Sequence, residues 1–168
     1  MMFRIGDKVV YPGHGVGEVV AIESREMMGS RMDVYVLRIL DKGMTIIVPV
    51  AKSDEVGLRE VMGGEEIDRV FHVLRERKRV SDGQTWNRRF RAYSEKIRTG
   101  SALEIAKVLR DLYLLRAGKS LSYGEKRMLN TAMELLAQEI AVASGEPPQR
   151  AEARILSAFS DVAAKPEG

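Results

Sequence analysis

The spacing of apolar residues changes from strand-like to helical near residue 60, so the chain divides into two parts with different architectures. Before that point, short β-rich runs recur: Val9-Val10-Tyr11, Val16 to Ile22, Val34 to Leu40, and Thr45 to Val50. Turn-forming stretches separate them: Pro12-Gly13-His14-Gly15, Met28-Gly29-Ser30 and Asp41-Lys42-Gly43. Asp41-Lys42-Gly43 predicts a tight hairpin between two strong strands. Two-residue alternation within the runs is weak. Four or five short strands at this spacing predict a small, strongly bent sheet or SH3-like barrel. Such a sheet closes on itself or leaves an edge that can pair with a partner's strand.

Beyond Gly63-Gly64 the period is helical. Glu65 to Arg77 puts Ile67, Val70, Phe71 and Leu74 on one face. Ser81-Asp82-Gly83 breaks the chain, and Trp86, Phe90, Tyr93 and Ile97 follow at helical spacing until Gly100. Ser101-Ala102-Leu103-Glu104 has the form of a capping box and predicts a third helix to about Arg116. Ser122-Tyr123-Gly124-Glu125 repeats the signal before a fourth, running to about Ser144, with Met128, Leu129, Ala132, Met133, Leu136 and Ile140 as its apolar stripe. Pro147-Pro148 predicts a fifth start, with Ile155, Leu156, Phe159 and Val162 facing inward, and the tail Lys165-Pro166-Glu167-Gly168 frays. The expected class is α+β: a small β domain over residues 1–60, then a compact all-helical domain of about five helices over 64–164.

The chemistry available is limited. There are no cysteines, which removes disulfides and thiolate catalysis, and the two histidines, His14 and His72, have no metal-ligand spacing. Pro12-Gly13-His14-Gly15-Val16-Gly17 lacks the Gly-Lys-Ser/Thr ending of a phosphate loop and precedes a strand, so it reads as a turn. There is no Gly-x-Ser-x-Gly elbow, and acidic residues on the helices mostly alternate with Lys/Arg as on a solvated face. The expectation is a non-enzyme without metal or cofactor. With no leader-like apolar run and no stretch near the roughly 20 apolar residues of a membrane span, a soluble cytoplasmic protein is expected.

Charge is the positive signal. The 168 residues carry a net +3, while Arg75 to Arg98 alone holds nine Lys/Arg against three Asp/Glu. A localised basic segment is the electrostatic footprint of nucleic-acid contact, although basic faces are also common on helices that bind nothing, and Arg75, Arg77, Lys78 and Arg79 fit that description too. The only tryptophan, Trp86, stands in Thr85-Trp86-Asn87-Arg88-Arg89-Phe90-Arg91. An aromatic ring beside arginines suits stacking on a base or wedging between base steps. With Trp86 at zero and about 100° per residue, Arg88, Arg91 and Arg98 lie at about 200°, about 140° and about 120°, away from the apolar stripe, and Arg89 flanks it at about 300°. Two placements of Trp86 fit this phase: in the core with Phe90 and Tyr93, or at the rim beside Arg89.

Taken in order, several segments resemble the CarD/CdnL family of bacterial transcription regulators. They are Phe3-Arg4-Ile5-Gly6-Asp7-Lys8-Val9-Val10-Tyr11-Pro12-Gly13-His14-Gly15-Val16-Gly17, Tyr35-Val36-Leu37-Arg38-Ile39-Leu40, Ile47-Val48-Pro49-Val50, Val56-Gly57-Leu58-Arg59, Thr85-Trp86-Asn87-Arg88-Arg89-Phe90, Val108-Leu109-Arg110-Asp111-Leu112-Tyr113, and Leu121-Ser122-Tyr123-Gly124-Glu125-Lys126-Arg127-Met128-Leu129. The resemblance implies a Tudor-like N-terminal domain, related to a module of the transcription-repair coupling factor, that binds the RNA polymerase β subunit. It implies a helical domain that contacts promoter DNA. It makes Trp86 a wedge in the minor groove at the upstream edge of the melted bubble, stabilising the open complex, with Arg88, Arg89 and Arg91 on the DNA backbone nearby. For the polymerase surface it implies Arg25, Ile47 and Pro49; some members carry arginine where Ile47 stands, so van der Waals contact is expected there. Ending at Gly168 without a basic AT-hook region, the chain looks like the short CdnL type. A monomer is expected, associated with the nucleoid through RNA polymerase. The alternative reading is a protein-interaction adaptor with only nonspecific nucleic-acid contact.

Overall fold

The computed structural model describes residues 2–77 and 86–162, without the side chains of Trp86 and Asn87. Lys78, Arg79, the Ser81-Asp82-Gly83 break and the Lys165–Gly168 tail lie outside the described residues. Two compact units divide between Val61 and Met62.

The first unit is a five-stranded antiparallel sheet in the order β4-β3-β2-β1-β5. Its strands are β1 (Lys8–Tyr11), β2 (Gly15–Met27), β3 (Ser30–Ile39), β4 (Thr45–Pro49) and β5 (Arg59–Glu60), with a 3-10 turn at Val50–Lys52. The glycine-rich stretch after β1 is a hairpin turn, closed by His14 N–H donating to Tyr11 O at 2.9 Å. At Asp41-Lys42-Gly43 the predicted turn forms, with Gly43 N–H donating to Ile39 O at 2.8 Å. β2 and β3 run well past the predicted Ile22 and back from Ser30, because Glu23 to Met27 pair residue for residue with Val34 to Ser30. These outer pairs reach beyond β1, whose pairing stops at Glu18, so a two-stranded arm leaves the sheet. Met28 and Gly29 turn its tip with φ of 53° and 79°. Along β2 the register shifts between Val19 and Ala21, with Val20 as the extra residue, and this explains the weak alternation of the sequence. Phe3, Val9, Val19, Tyr35, Leu37, Val48 and Leu58 form the core of this unit.

The second unit holds α1 (Gly64–Arg75), α2 (Trp86–Thr99), α3 (Ala102–Gly118), α4 (Tyr123–Ser144) and α5 (Pro148–Ser157). Each helix carries an apolar face, and Val70, Leu74, Leu109, Leu112, Ala132, Leu136, Ile140 and Ile155 meet in one core. Ser122 and Glu125 form the full reciprocal capping box. Ser101 makes only half of one: its hydroxyl accepts from Glu104 N–H at 3.2 Å, but the Glu104 carboxylate turns to Lys107 at 3.2 Å and Lys96 at 3.8 Å. Gly100 ends α2 because a Cβ there would lie 2.9 Å from both Ile97 O and Ile105 Cδ1. The α+β class expected from the two periods is the class observed.

Two inward assignments fail. Leu156 is 41% exposed, since Ile155 and the Phe159 ring, stacked on Tyr113 at 4.2 Å, already fill that side of α5. Phe90 is also 41% exposed, displaced from the buried face by Arg89.

Candidate interfaces on the two units

The basic segment is less uniform than its composition. Arg77 is a structural latch: its guanidinium donates to the backbone oxygens of Leu74 and Ala158 and pairs with Asp161 at 2.6 Å, over the Phe159 ring. The hydrogen bond from Arg77 holds the Asp161 carboxyl below its ordinary range. Arg98 is bound by Glu95 at 2.6 Å, and Lys96 stands 3.8 Å from Glu104. Arg75 packs on the Phe71 ring, and His72 is exposed. Arg88 and Arg91 remain: both are exposed and neither has an ion-pair partner among the described residues. They stand in the first two turns of α2, whose first turn has no acidic side chain to oppose its positive end.

Trp86 opens α2, and its backbone is helical from that residue on. Whether its ring lies in the core or at the rim falls outside the described side chains.

Arg89 differs sharply from its neighbours. It is only 8% exposed, and its Nε and Nη1 are buried with no hydrogen-bond partner among the described residues. A surface contact to the DNA backbone was expected of it; in this arrangement the side chain is drawn inward with Tyr93, because both lie on the side of α2 that packs against the unit. Around them sits a polar cluster that sequence reasoning missed. Tyr93 donates to Asp111 Oδ2 at 3.4 Å, Arg110 Nη2 reaches Asp111 Oδ1 at 3.0 Å, and Arg110 Nη1 reaches Glu76 at 3.4 Å. The cluster joins the end of α1 to α2 and α3. Burial first, then the negative charge of Asp111, pushes the Tyr93 hydroxyl far above the usual tyrosine range, against the opposing pull of Arg89 and Arg110. The available signal was Arg110-Asp111 standing inside the apolar run Val108-Leu109 to Leu112 of α3.

On the N-terminal unit, strand register decides which side chains share a face. Glu23, Val34 and Pro49 form one row across three strands, and Ala21, Val36 and Ile47 the next. Arg25 lies opposite Met32, one row further along the arm. Arg25, Ile47 and Pro49 therefore stand on the same face, around the buried Val34 and Val36. All three are partly exposed, and Arg25 Nε donates to Glu23 at 2.7 Å. β4, carrying Ile47 and Pro49, is an edge strand paired only with β3 among the described residues.

Residues 3–62 match the CarD-like/TRCF RID domain family, and residues 69–156 match the CarD C-terminal domain family. The two matches fall on the two units and take in the cluster, Trp86 and the β4 face. The chain belongs to the CarD/CdnL family of transcription regulators. It is 35% identical over 146 residues to the "Putative transcription factor YdeB" of Bacillus subtilis (strain 168), covering 86% of this chain and 94% of that protein. Among solved structures it is similar to "CdnLNt from Myxoccoccus xanthus", with 55% identity, 37% of this chain and 87% of that one, and a TM-score of 0.32. It is also similar to the solution structure of the 72-residue N-terminal domain of Myxococcus xanthus CarD, with 34% identity, 35% and 79% coverage, and a TM-score of 0.32. Among the described residues no helix is long and apolar enough to cross a membrane, and no acidic or histidine cluster could hold a metal ion.

Proposed function

We propose that this regulator docks on the RNA polymerase β subunit through the Arg25, Ile47 and Pro49 face and stabilises the open promoter complex through α2. Trp86 wedges into the minor groove at the upstream edge of the bubble, and Arg88 and Arg91 hold the flanking DNA backbone. The observation that carries this reading is the start of α2: an aromatic residue at its first position, followed within five residues by two exposed arginines with no ion-pair partner among the described residues. The match of residues 3–62 to an RNA polymerase-interacting type of domain supports the polymerase partner. The free edge of β4 suits addition of a partner strand, with main-chain hydrogen bonds for affinity and Ile47 for apolar contact.

The physical logic is differential binding: a factor shifts the closed-to-open equilibrium only if it binds the open state better. Closed duplex has no junction for a ring to cover, whereas a melted fork does. One stacking contact is worth roughly 1–3 kcal/mol, or about 5- to 150-fold in that equilibrium. Contact through Arg88 and Arg91 to the DNA backbone is weak on free DNA and largely indifferent to sequence. Docking on polymerase then supplies the local concentration that weak contact needs. The protein acts as a monomer in the cytoplasm, at the nucleoid through polymerase.

The test is open-complex lifetime with wild type, Trp86→Ala and Arg25→Glu. Trp86→Ala shortens the lifetime and leaves polymerase pull-down intact; Arg25→Glu weakens the pull-down itself. Equal lifetimes for Trp86→Ala and wild type would sink the wedge, and unchanged capture of Arg25→Glu would remove Arg25 from the docking face.

A further inference from the structure

We propose that the recess between α1 and α5 is an anion site that takes one phosphate group, carried by a nucleotide or by a nucleic-acid backbone. Its lining residues come from α1 and α5, and the site stands whether or not α2 meets DNA.

Side-chain spacing on the two helices makes the recess. On α1, Phe71, His72 and Arg75 follow Asp68 by three, four and seven residues and share one face with it. On α5, Arg154 and Ser157 are three apart and complete the lining. The enclosed volume is about 460 Å³, within the usual range of small-molecule clefts, about 300–1,000 Å³. Phe71 is buried beneath it. The Arg75 guanidinium carbon lies 5.7 Å from the centre of the Phe71 ring and that of Arg154 lies 4.9 Å from it. Contact with one ring thus restrains two cationic heads, one from each helix, that would otherwise swing freely in water.

The lining carries two guanidiniums against one carboxylate, Asp68. Arg154 is held by Glu146, Nη1 to Oε1 at 2.6 Å, and Glu146 also meets Arg150 at 3.6 Å. Arg75 has no ion-pair partner among the described residues. α1 ends at Arg75 and α5 at Ser157, so the negative ends of both helices lie at the recess and oppose an anion. Arg77 offsets them: its guanidinium donates to Leu74 O near the end of α1 and to Ala158 O just past α5. The fork of a guanidinium pairs with the oxygens of phosphate or carboxylate alike, and the exposed His72 ring adds an N–H donor. Ser157 adds no proton, because its hydroxyl already donates to Ala153 O at 2.9 Å. The rest of the lining favours phosphate. A peptide is anchored by apolar or aromatic side chains seated in pockets, and the single apolar side chain here, Phe71, is only 6% exposed.

The experiment titrates the full-length protein, at constant ionic strength, with inorganic phosphate, adenosine monophosphate, a mixed-sequence DNA duplex and an acidic peptide. Binding is read from the NMR signals of the Arg75 and Arg154 side chains and the His72 ring, with unfolding midpoints measured beside each titration. Saturable shifts at those residues are expected with at least one phosphate-bearing probe. Arg75→Gln should lose about tenfold in affinity for it, and Arg75→Lys less. Asp68→Asn should gain about threefold, since a charge that repels the anion is gone; a damaged fold would not produce that gain. The duplex, followed across a salt series, separates the two sources. If Arg75→Gln lowers its salt slope by about 0.9, the value of one phosphate contact, the phosphate is that of a nucleic-acid backbone. An unchanged slope, with nucleotide binding lost in the same variant, assigns it to a free nucleotide. Either result supports the site. Absence of saturable shifts with all three phosphate probes overturns the proposal. So does an acidic peptide that moves these signals where phosphate does not, or equal binding by wild type, Arg75→Gln and Asp68→Asn.

Discussion

Replacing Met28 at the tip of the β2–β3 arm by asparagine should stabilise the N-terminal unit. Met28 is the sole non-glycine residue with positive φ among the described residues, at 53°, and it is fully exposed, with a relative accessibility of 102%. Its side chain therefore contributes no burial that a substitution could lose. With Gly29 at 79° both central turn residues are left-handed, which is the signature of a type I′ hairpin turn, where Asn-Gly is strongly preferred. The left-handed conformation costs an ordinary L-residue roughly 1–2 kcal/mol, and asparagine offsets part of that through local hydrogen bonding. A net gain of about 0.5–1 kcal/mol follows from the same balance. Glycine relieves the strain too but adds about 0.5–1 kcal/mol of unfolded-chain entropy, so Met28→Gly should be near neutral. Valine, β-branched, should be worse than methionine. The assay is denaturant-dependent hydrogen exchange of β2 and β3 amides in the full-length protein, read with the equilibrium midpoint at unchanged m. The order Asn, Gly or Met, then Val is expected. A loss of stability in Met28→Asn would refute the reasoning, since it would mean that the methionine side chain makes stabilising contacts or that the tip is not left-handed.

Two further outcomes concern the helical unit. Glu139 is buried, and its Oε2 accepts the Met62 N–H at 2.9 Å where the unit begins. Glu139→Ala should cost about 1–3 kcal/mol by orphaning that amide, and Glu139→Gln, which keeps an acceptor, should cost less; chemical denaturation with exchange at the Met62 amide measures both. Tyr93 should ionise above the ordinary tyrosine range, since burial and Asp111 raise its hydroxyl. Its raised folded-state value makes its contribution complete below about pH 10, the unfolded value, and lost as pH rises toward the folded one. Alkaline unfolding monitored beside tyrosinate absorbance should therefore be delayed in Tyr93→Phe. Ionisation of Tyr93 within the ordinary tyrosine range, or an unchanged alkaline unfolding in Tyr93→Phe, would contradict this.

What the sequence revealed divides along physical lines. The α4 stripe and the Ser122 cap were legible because they depend on neighbours three and four residues away. The α+β class was legible for the same reason, as a change of period. The outer half of the β2–β3 arm was not. Glu23 to Glu26 and Arg31 to Asp33 are mostly polar and exposed, and only their pairing with each other makes them strands. The phase of α2 was misread because apolar spacing points at Phe90, whereas Arg89 and Tyr93 are the buried side chains there, and the partner that Tyr93 meets, Asp111, comes from α3. Ser101 and Glu104 show the same limit on a smaller scale. Their spacing promised a reciprocal cap, but the carboxylate goes to Lys107 in the same helix at 3.2 Å and to Lys96 of α2 at 3.8 Å. For the proposed docking face, the sequence alone could not put Arg25 on the same face as Ile47 and Pro49; only the three-strand register does that.

The extra residue Val20 gives β2 two independent reading frames. The inner frame is anchored by β1, through pairs such as Val9 with Gly17, and the outer by the Met27–Ser30 pair at the tip. Beyond the Glu23–Val34 pair the arm can gain or lose residues in matched pairs, one from each strand, and leave the register of the inner pairs unchanged. Each such change would carry the tip about 3.3 Å further out or in and turn it over. An unmatched insertion would have no such outlet and would move Arg25 to the opposite face from Ile47. The reach of this arm is thus a property that descent could adjust in discrete steps, separately from the stability of the sheet that carries it.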